Sequence, residues 1–403
     1  GERDILRGAG ANLHSRMAQR VLVQLAVVPY AREDDLYAAA GEVPWETWFS
    51  VQQTFKIEIT AQRSPLKSLN FAALRIKDAV ADRFRAKAGV RPSVDTHYPQ
   101  VRIHGHLDAQ HLTLYIDTSG EPLFKRGWRQ DKGDAPLKET LAAAILAASG
   151  WQPQSGQALY DPCCGSGTIV IEAAQMACRI APGGQRRFAF ERLLPHQPAL
   201  WQQLLHEARA AEIRPQDIFI FGSDVSHRIV DFAQRNAERA GVAHAVQLRG
   251  GDALQRMPPV DGTGVLLLNP PYGERIAAAG VAGQDAAARA RRMADAGRER
   301  AVMTEDAANG GEADFFARLA SHWKKHYVGW KAWVLSPDMT LPGRMRLQAS
   351  RRVPLWNGPI ECRLFGFDIV SGSPVKDRPE RDRPPAEKDT QGVHNRPRGN
   401  AAP

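Results

Sequence analysis

The sequence has few cysteines and no long apolar run. Its four cysteines are two neighbours, Cys163 and Cys164, and two isolated residues, Cys178 and Cys362, with no C-x-x-C spacing among them. This pattern argues against a disulfide framework and against a zinc site. The longest apolar run, residues 141–148, is far shorter than the roughly 20 residues of a membrane span, and no signal-peptide pattern opens the chain. We therefore predict a cytoplasmic protein without metal or membrane partner.

The charge is concentrated in one part of the chain. With 403 residues and 43% hydrophobic composition, the sequence is long enough for two or three folded domains. Its 53 lysines and arginines exceed 44 acidic residues, and between residues 56 and 132 there are 14 basic and 8 acidic residues. A basic surplus favours polyanionic partners but also occurs in proteins that never contact nucleic acid. Charge alone therefore leaves nucleic-acid binding open.

The first part of the chain has the pattern of an α+β domain. Residues 54–60 alternate apolar and polar side chains, as a half-buried strand does. Apolar residues at helical spacing follow from Leu69 to Phe84, and Gly89 is typical of a helix end. Two further strands are predicted at 101–107 and 112–117. The most N-terminal element is predicted to be a helix at 14–25.

From Pro136 onward, short buried strands alternate with helices, which is typical of a parallel sheet with helices on both faces. The predicted strands are residues 158–160, 218–222, 245–248, 265–268 and 330–335. A hairpin of residues 347–356 and 360–367 follows, and its Asn357-Gly358 pair suits a tight turn that requires positive φ. The prediction is a mostly parallel, Rossmann-like sheet that ends in an antiparallel hairpin.

The domain prediction has four parts. Residues 1–50 form an N-terminal α+β segment, which we expect to lack some natural sequence because Gly1 stands where an initiator Met would. Residues 51–120 form a basic α+β domain, and residues 121–370 form the Rossmann-like domain. Residues 277–312, rich in Ala, Gly and Arg, are predicted to be an unfolded surface insertion, and residues 371–403 a disordered tail.

A glycine-rich loop, residues 161–167, leads from a short strand into a helix that begins near Thr168. Gly165 and Gly167 would let a ligand approach the backbone at the helix N-terminus. A dinucleotide-binding fingerprint requires Gly or Ala at position 170, where this chain has Val, and an acidic residue about 20 positions further on. The loop therefore indicates a nucleotide-like cofactor other than NAD.

Acidic residues follow three successive predicted strands, at Asp161, Asp224 and Asp252. Asp224 is placed to accept hydrogen bonds from ribose hydroxyls, and Asp252 to hold an adenine amine. Either residue alone is also typical of a helix cap. Their regular order favours a nucleoside-binding role, whereas Cys163 and Cys164 are interpreted as small residues packed at a crowded turn.

The motif Asn269-Pro270-Pro271-Tyr272 directly follows the buried strand 265–268, where ligands of open α/β sheets bind. An exocyclic amine on an aromatic ring is a poor nucleophile because its lone pair is delocalised. The Asn269 amide oxygen and the Pro270 carbonyl could accept both N–H groups, and Tyr272 could stack on a flipped base, which is worth roughly 1–3 kcal/mol. The alternative is a proline-rich turn with a surface tyrosine. The motif alone does not distinguish guanine from adenine, or RNA from DNA.

Together these motifs resemble the THUMP-containing class I methyltransferases that make N2-methylguanine, and in particular those acting on large-subunit ribosomal RNA. Residues 127–129 (Gly-Trp-Arg), 135–141 and 357–362 are also similar to that family, and the resemblance spans about residues 14–370. The sequence departs from the family in having Cys163 where Met is usual, and in the length of residues 277–312.

The resemblance implies a THUMP RNA-binding domain, a Rossmann-like class I methyltransferase domain and S-adenosyl-L-methionine as methyl donor. It implies direct in-line transfer without a covalent enzyme intermediate and an RNA partner that is 23S rRNA or a large-subunit precursor. The sequence leaves the oligomeric state open, and a monomer is favoured. The guanine would be held by Asn269, Pro270, Pro271 and Tyr272. The residues implied to bind the cofactor are Pro136, Lys138, Glu139, Asp161, Cys163, Gly165, Ser166, Gly167, Asp224, Asp252, Ala253 and Asn269.

Three alternatives stay open at the level of sequence. THUMP relatives also methylate guanine N2 in tRNA, and the Asn-Pro-Pro-Tyr motif suits adenine N6 equally well. A catalytically silent RNA-binding assembly factor would keep the same fold.

Overall fold

Two sheets organise the chain. The computed structural model describes residues 2–132, 136–217, 219–270 and 305–371, with residues 305–314 described by their backbone only. A four-stranded sheet lies in the N-terminal part and a seven-stranded sheet begins at residue 158.

The four-stranded sheet has the order β1-β4-β3-β2. Strands β2 and β3 are parallel, and the other two pairs are antiparallel. A parallel pair requires a crossover connection, which helix α3 supplies. The strands are β1 (Leu22–Pro29), β2 (Phe55–Ala61), β3 (Val101–Leu107) and β4 (His111–Asp117), and the helices are α1 (Glu2–His14), α2 (Glu33–Glu42) and α3 (Leu69–Ala88).

The ends of α3 follow from its local sequence. The Ser68 hydroxyl accepts a hydrogen bond from the Phe71 backbone N–H at 3.2 Å, which caps the first turn. At the other end, Gly89 adopts a φ of +76°, a left-handed conformation that glycine reaches without steric cost. The predicted helix and its predicted end are thereby confirmed.

The predicted helix at 14–25 is wrong. Helix α1 ends at His14, and β1 begins at Leu22 and pairs with β4. The reason lies in the β-branched residues Val21, Val23, Val27 and Val28, which favour a strand that packs against neighbours. The four-stranded sheet therefore takes one strand from the first 50 residues and three from the following segment.

The seven-stranded sheet has the order β10-β11-β9-β8-β5-β6-β7. Neighbouring strands from β9 to β7 are parallel, and β11 is antiparallel to both of its neighbours. This confirms a mostly parallel sheet that ends in an antiparallel hairpin. The strands are β5 (Ala158–Asp161), β6 (Ile220–Asp224), β7 (Val246–Gly250), β8 (Gly264–Leu268), β9 (Lys331–Ser336), β10 (Arg351–Asn357) and β11 (Ile360–Asp368).

Helices cover both faces of this sheet, so its central strands are buried on both sides. Leu267 belongs to the core beneath α4, α5 and α7, whereas Leu266 and Leu268 belong to the core beneath α8. The helices are α4 (Glu139–Ser149), α5 (Thr168–Ala177), α6 (Pro198–Ala210), α7 (His227–Arg239), α8 (Glu305–His326) and α9 (Leu341–Met345). None of the helices in the described ranges is long and apolar enough to cross a bilayer.

Two local predictions need correction. The hairpin turn consists of Gly358 and Pro359, because Asn357 still pairs with Ile360, and the positive φ of +65° is at Gly358. Helix α8 begins at Glu305, so residues 305–312 have helical backbone although they belong to the segment predicted as an unfolded insertion. Alanines at 307 and 308 favour a helix there. The rest of that insertion and residues 372–403 lie outside the described residues.

The segment between α5 and β6 packs against the N-terminal part of the molecule. Phe190 and Trp201 belong to the same core as Leu13 of α1 and Trp48. The rings of Phe190 and Trp201 meet edge to face, with centroids 5.0 Å apart. The two sheets are therefore joined by this packed segment as well as by the chain from β4 to α4.

The strand order places a crevice beside β5. The chain runs from β5 outward through β6 and β7, then returns to the other side of β5 with β8 and β9. Ligands of open α/β sheets bind at such a reversal, outside the carboxyl ends of the strands.

Candidate functional site

The predicted acidic residues and the Asn-Pro motif lie at one edge of the seven-stranded sheet, which we call the carboxyl edge. Asp161 ends β5, and Asp224 ends the neighbouring parallel strand β6. Asp252 follows β7 by two residues, and Asn269 directly follows β8 on the other side of β5. The fold therefore brings together residues that are far apart in the sequence.

Hydrogen bonds fix the loop after β5 against the end of β6. The Asp161 carboxylate accepts from the Cys163 backbone N–H at 3.0 Å, and the Cys164 N–H donates to the Ser223 carbonyl at 2.8 Å. The Asp224 carboxylate accepts from the Gly165 N–H at 3.1 Å. Two of the three strand-end acids therefore shape the loop directly.

The two glycines of the loop have different roles. Gly165 and Gly167 both adopt positive φ, +54° and +90°. A Cβ added at Gly165 would meet no described atom within 4 Å, so its backbone faces open space. A Cβ added at Gly167 would lie 3.1 Å from the side chains of Ala233 and Ile171. Gly165 therefore permits close approach of a ligand, and Gly167 permits close packing of α5 on α7.

Two carboxylates of this edge, Asp161 and Asp224, lie away from solvent without a cationic partner among the described residues. Asp161 is 1% exposed, and burial raises its pKa well above the usual range, against the smaller opposing effect of the Cys163 N–H. Burial also raises the pKa of Asp224, while the backbone N–H groups of Ser226 and Gly165 oppose it. Neither carboxylate forms an ion pair within the described part of the chain. Buried anions are normally paired, so this edge suits a ligand that brings hydroxyl, amine or cationic groups.

Asp224 and Asp252 each form a local side-chain turn and do not cap a helix, because the N-cap of α7 is Ser226 and the described residues between β7 and β8 contain no helix. Asp224 accepts from the Ser226 N–H at 3.0 Å, and Asp252 accepts from the Leu254 N–H at 2.9 Å. Ala253, which follows Asp252 and also belongs to the predicted cofactor set, is buried. Asp224 thus combines a local turn with the contact to Gly165, and the helix-cap alternative for these two acids is wrong.

The two loop cysteines are packed groups. Cys164 is buried, Cys163 is partly buried, and both are free thiols. Burial, and then the neighbouring carboxylates, raise the pKa of each thiol well above its usual value. The thiols are therefore neutral, which agrees with their interpretation as small packed residues.

The residues around the start of α4, which are predicted to bind the cofactor, differ in their distance from the loop. Pro136 and Lys138 are exposed, and the Lys138 ammonium lies 5.2 Å from the centre of the Phe124 ring. Glu139 is buried, and its carboxylate accepts from Arg129 Nε at 2.8 Å. The structure therefore brings Glu139 to the loop, while Pro136 and Lys138 stay at the surface.

Sequence reasoning missed two polar residues that contact the loop. Arg129 donates to the Ser166 hydroxyl at 3.0 Å, and Asn236 of α7 donates to the Ser166 carbonyl at 3.1 Å. Arg129 belongs to the Gly-Trp-Arg motif at 127–129, which was the available signal. Asn236 is buried on a predicted helix, and nothing in the sequence distinguished it from a core position.

Part of the target motif is described. Asn269 is partly buried and Pro270 is buried at the end of β8. Pro271 and Tyr272 lie outside the described residues. Among the residues that are described, no group of three or more His, Cys, Asp or Glu side chains is arranged to hold a metal ion.

Two family models match the chain in succession. The THUMP domain matches residues 30–117, and the model described as "RMKL-like, methyltransferase domain" matches residues 126–308. The chain is 40% identical over 365 residues to "Ribosomal RNA large subunit methyltransferase K/L" of Shewanella loihica, covering 90% of this chain and 47% of the relative. The protein of the same name from Psychromonas ingrahamii is 37% identical over 368 residues, with coverage of 90% and 45%. The chain thus spans about half the length of these curated relatives.

Solved structures share the whole fold. SMU.472, solved in complex with S-adenosylhomocysteine (SAH), is 26% identical with a TM-score of 0.74, covering 92% of this chain and 89% of its own. A protein of Listeria monocytogenes named as a "predicted N6-adenine-specific DNA methylase" is also 26% identical with a TM-score of 0.74, covering 90% and 86%. TrmN from Thermus thermophilus, at 18% identity, TM-score 0.59 and coverage of 88% and 84%, shows the fold alone. With both domain models matched in order on two sheets of the expected topology, the chain consists of a THUMP domain followed by an RMKL-like methyltransferase domain.

Proposed function

We propose that this protein is an S-adenosylmethionine-dependent methyltransferase that modifies the exocyclic N2 amine of a guanine in 23S rRNA. The observation that carries the proposal is the carboxyl edge. The buried Asp161 carboxylate and the partly buried Asp224 carboxylate form no ion pair in the described part of the chain, and they lie beside the open backbone of Gly165. Asn269 follows β8, which pairs with β5 on the side opposite β6. The names of the curated relatives support large-subunit ribosomal RNA as the substrate, and the SAH bound to SMU.472 supports the methyl donor.

The residues present fit the methyl donor. The donor carries ribose hydroxyls and amines, which donate hydrogen bonds to carboxylates. It also carries a positive sulfonium, which a carboxylate without a cationic partner attracts. We assign the ribose to Asp224, because its carboxylate lies at the end of β6 and already holds the Gly165 N–H. S-adenosylmethionine supplies an electrophilic methyl group when it is bound. The protein's own contribution is to bind and orient, and the proposal includes no metal.

The Asn-Pro motif supplies hydrogen-bond acceptors for the substrate amine. Asn269 and Pro270 follow β8, the strand paired with β5 on the side opposite β6. The Asn269 amide oxygen and the Pro270 carbonyl accept the two amine hydrogens, which draws the nitrogen lone pair out of conjugation with the ring. Asn269 cannot act as a base, so we assign proton loss from the product amine to water. Preorganised polar groups of this kind are commonly the largest contribution to catalysis.

The choice of RNA rests on the N-terminal half. The THUMP match at residues 30–117 overlaps the basic segment 56–132, where lysines and arginines predominate. Basic side chains bind phosphates regardless of the RNA sequence, so this domain would bind the RNA backbone. The carboxyl edge would then act on one base. Ribosomal RNA as substrate also supports a cytoplasmic location. The second candidate, adenine N6, is favoured only by the name of the Listeria protein.

A transfer assay tests the substrate. The full chain would be incubated with labelled S-adenosylmethionine and, separately, unmodified 23S rRNA, tRNA and DNA, and the labelled nucleoside would be identified. We expect N2-methylguanosine in 23S rRNA. Label on adenine, or in tRNA alone, would overturn the substrate proposal while leaving the enzyme class intact.

The substitution Asn269→Ala tests the catalytic role of the motif. It removes one acceptor for the amine and should lower kcat on the order of 100-fold, as the loss of other preorganised hydrogen-bonding groups does. Binding of 23S rRNA, measured by filter retention, should stay close to wild type. Gln203→Ala on the exposed face of α6 is the control and should change neither quantity. Unchanged methylation by Asn269→Ala would favour a silent RNA-binding factor.

A further inference from the structure

The Arg129 guanidinium lies at the meeting point of three segments. It donates from Nε to Glu139 at 2.8 Å, from Nη1 to the Ser166 hydroxyl at 3.0 Å, and from Nη2 to the Thr168 hydroxyl at 2.7 Å. Nη2 also donates to the Leu137 carbonyl at 3.1 Å. One planar group therefore ties the chain between the two sheets to the start of α4 and to the start of α5.

The Arg129 guanidinium is surrounded by protein groups and is largely inaccessible to solvent. The Arg129 side chain is 13% exposed and its carboxylate partner on Glu139 is 3% exposed. The guanidinium carbon also lies 5.1 Å from the centre of the Trp128 ring. Arginine presents its donors in a rigid fork, so these four bonds set one orientation of all the acceptors at once.

The loop that Arg129 contacts does not fix its own conformation. Ser166 lies between Gly165 and Gly167, and glycine has more accessible backbone conformations than any other residue. Outside contacts must therefore hold it. Asp224 holds the Gly165 N–H, Asn236 holds the Ser166 carbonyl, and Arg129 holds the Ser166 side chain and the first residue of α5.

Resting on the proposed function, we propose that Arg129 is a positioning residue that holds the loop 165–168 and Glu139 in the arrangement that binds the methyl donor. It acts through Ser166, Thr168 and Glu139 and does not touch the reacting atoms. Ordering these groups before binding removes an entropic cost that the ligand would otherwise bear. The expected signature is a weaker affinity for the donor with little change in kcat.

A nearby arginine provides a matched control. Arg16 donates to Glu172 at 2.9 Å, one helical turn beyond Thr168 on the same face of α5. It therefore contacts the same helix without reaching the loop. Arg16→Gln should lower the melting temperature but leave the affinity of the folded protein for SAH unchanged.

The test compares Arg129→Lys with wild type in the full chain. Lysine keeps the positive charge beside Glu139 but cannot reproduce the fork to Ser166 and Thr168. We expect the Kd for SAH, measured by calorimetry, and the KM for S-adenosylmethionine to rise about tenfold or more, as loss of charged hydrogen bonds predicts. The KM for RNA and kcat should change little.

A second variant keeps the proposal testable if Arg129→Lys does not fold. Thr168→Val preserves shape, leaves the Arg129–Glu139 pair in place and removes one acceptor, so the Kd for SAH should rise severalfold. Wild-type affinity in both variants, or an equal loss in Arg16→Gln, would overturn the positioning role. Failure of the wild-type protein to bind SAH would instead overturn the proposed function.

Discussion

The molecule contains two regions of buried carboxylate that are built in opposite ways. At the contact between the N-terminal part and α5, which we call the interdomain seam, the fully buried Glu172 carboxylate accepts from Arg16 at 2.9 Å and from Arg126 at 3.2 Å. At the carboxyl edge, Asp161 is equally buried, but its partner is the Cys163 backbone N–H, and no described lysine or arginine pairs with it. At the seam the chain supplies cations for the buried carboxylate, whereas at the carboxyl edge none of the described residues does.

The difference separates a structural role from a binding role. A buried charge that the protein itself neutralises stabilises one relative arrangement of its parts, and removal of either partner is costly. A buried charge left without a cation lowers folding stability, and functional sites are where such perturbed groups concentrate. Glu172 therefore has a structural role, because it fixes the two halves of the molecule relative to each other. Asp161 has the features of a ligand-binding group.

The largest expected effect is on the seam. Glu172→Gln leaves the Arg126 guanidinium, which is only 2% exposed, without its carboxylate. Removing one partner of a buried ion pair costs about 3–5 kcal/mol, so we expect the free energy of unfolding in urea to fall by that amount. Glu207→Gln, at an exposed position of α6, is the control and should be neutral. An unchanged stability of Glu172→Gln would show that the seam is not held by charge.

At the carboxyl edge, we expect removal of a carboxylate to raise the folding stability instead of lowering it. Because burial raises the pKa of Asp161, the folded protein binds a proton there more tightly than the unfolded chain. The stability contributed by this group is therefore present at low pH and is lost as pH rises from the usual carboxyl range through the raised pKa. Asp161→Asn cannot ionise, so above that range it should be more stable than wild type.

Urea unfolding of both proteins without ligand, from acid to mildly alkaline pH, measures this difference. The two stability curves should converge at acid pH and separate as pH rises, while the affinity for SAH should be lower in Asp161→Asn. Parallel curves would show that the Asp161 carboxylate is compensated in the folded protein, and would contradict the contrast with the seam.

The same contrast explains how far the sequence predicted the site. Asp161, Asp224 and Asn269 were predictable because each follows a buried strand, and the carboxyl ends of parallel strands meet at one edge. Arg129 was not predictable as a loop contact, since its acceptors at 166 and 168 are brought to it only when α5 packs beside the connecting segment. Apolar spacing predicted α3 correctly, but at 14–25 the β-branched residues of β1 and its pairing with β4 determined the structure.

The smallest expected effect tests whether burial, rather than pairing alone, distinguishes the two regions. Asp131 is paired like Glu172, to Arg235 at 2.9 Å and Arg239 at 2.6 Å, but it lies near the surface. Hydrogen bonds from these two arginines lower its pKa from 3.8 to about 2. A depressed pKa contributes stability above the usual carboxyl pKa and loses it as pH falls through about 2.

Asp131→Asn should therefore lower the melting temperature slightly at neutral pH, with the difference fading below pH 3.8 and in high salt, because exposed pairs are screened. Calorimetric scans of this variant beside Glu172→Gln make the comparison direct. If the two variants lost the same melting temperature, pairing alone would explain the stability of the seam. The lack of a cationic partner for Asp161 among the described residues would then no longer indicate a ligand site. If the loss is small, as we expect, it is the dry environment that makes a paired carboxylate structural and an unpaired one available for binding.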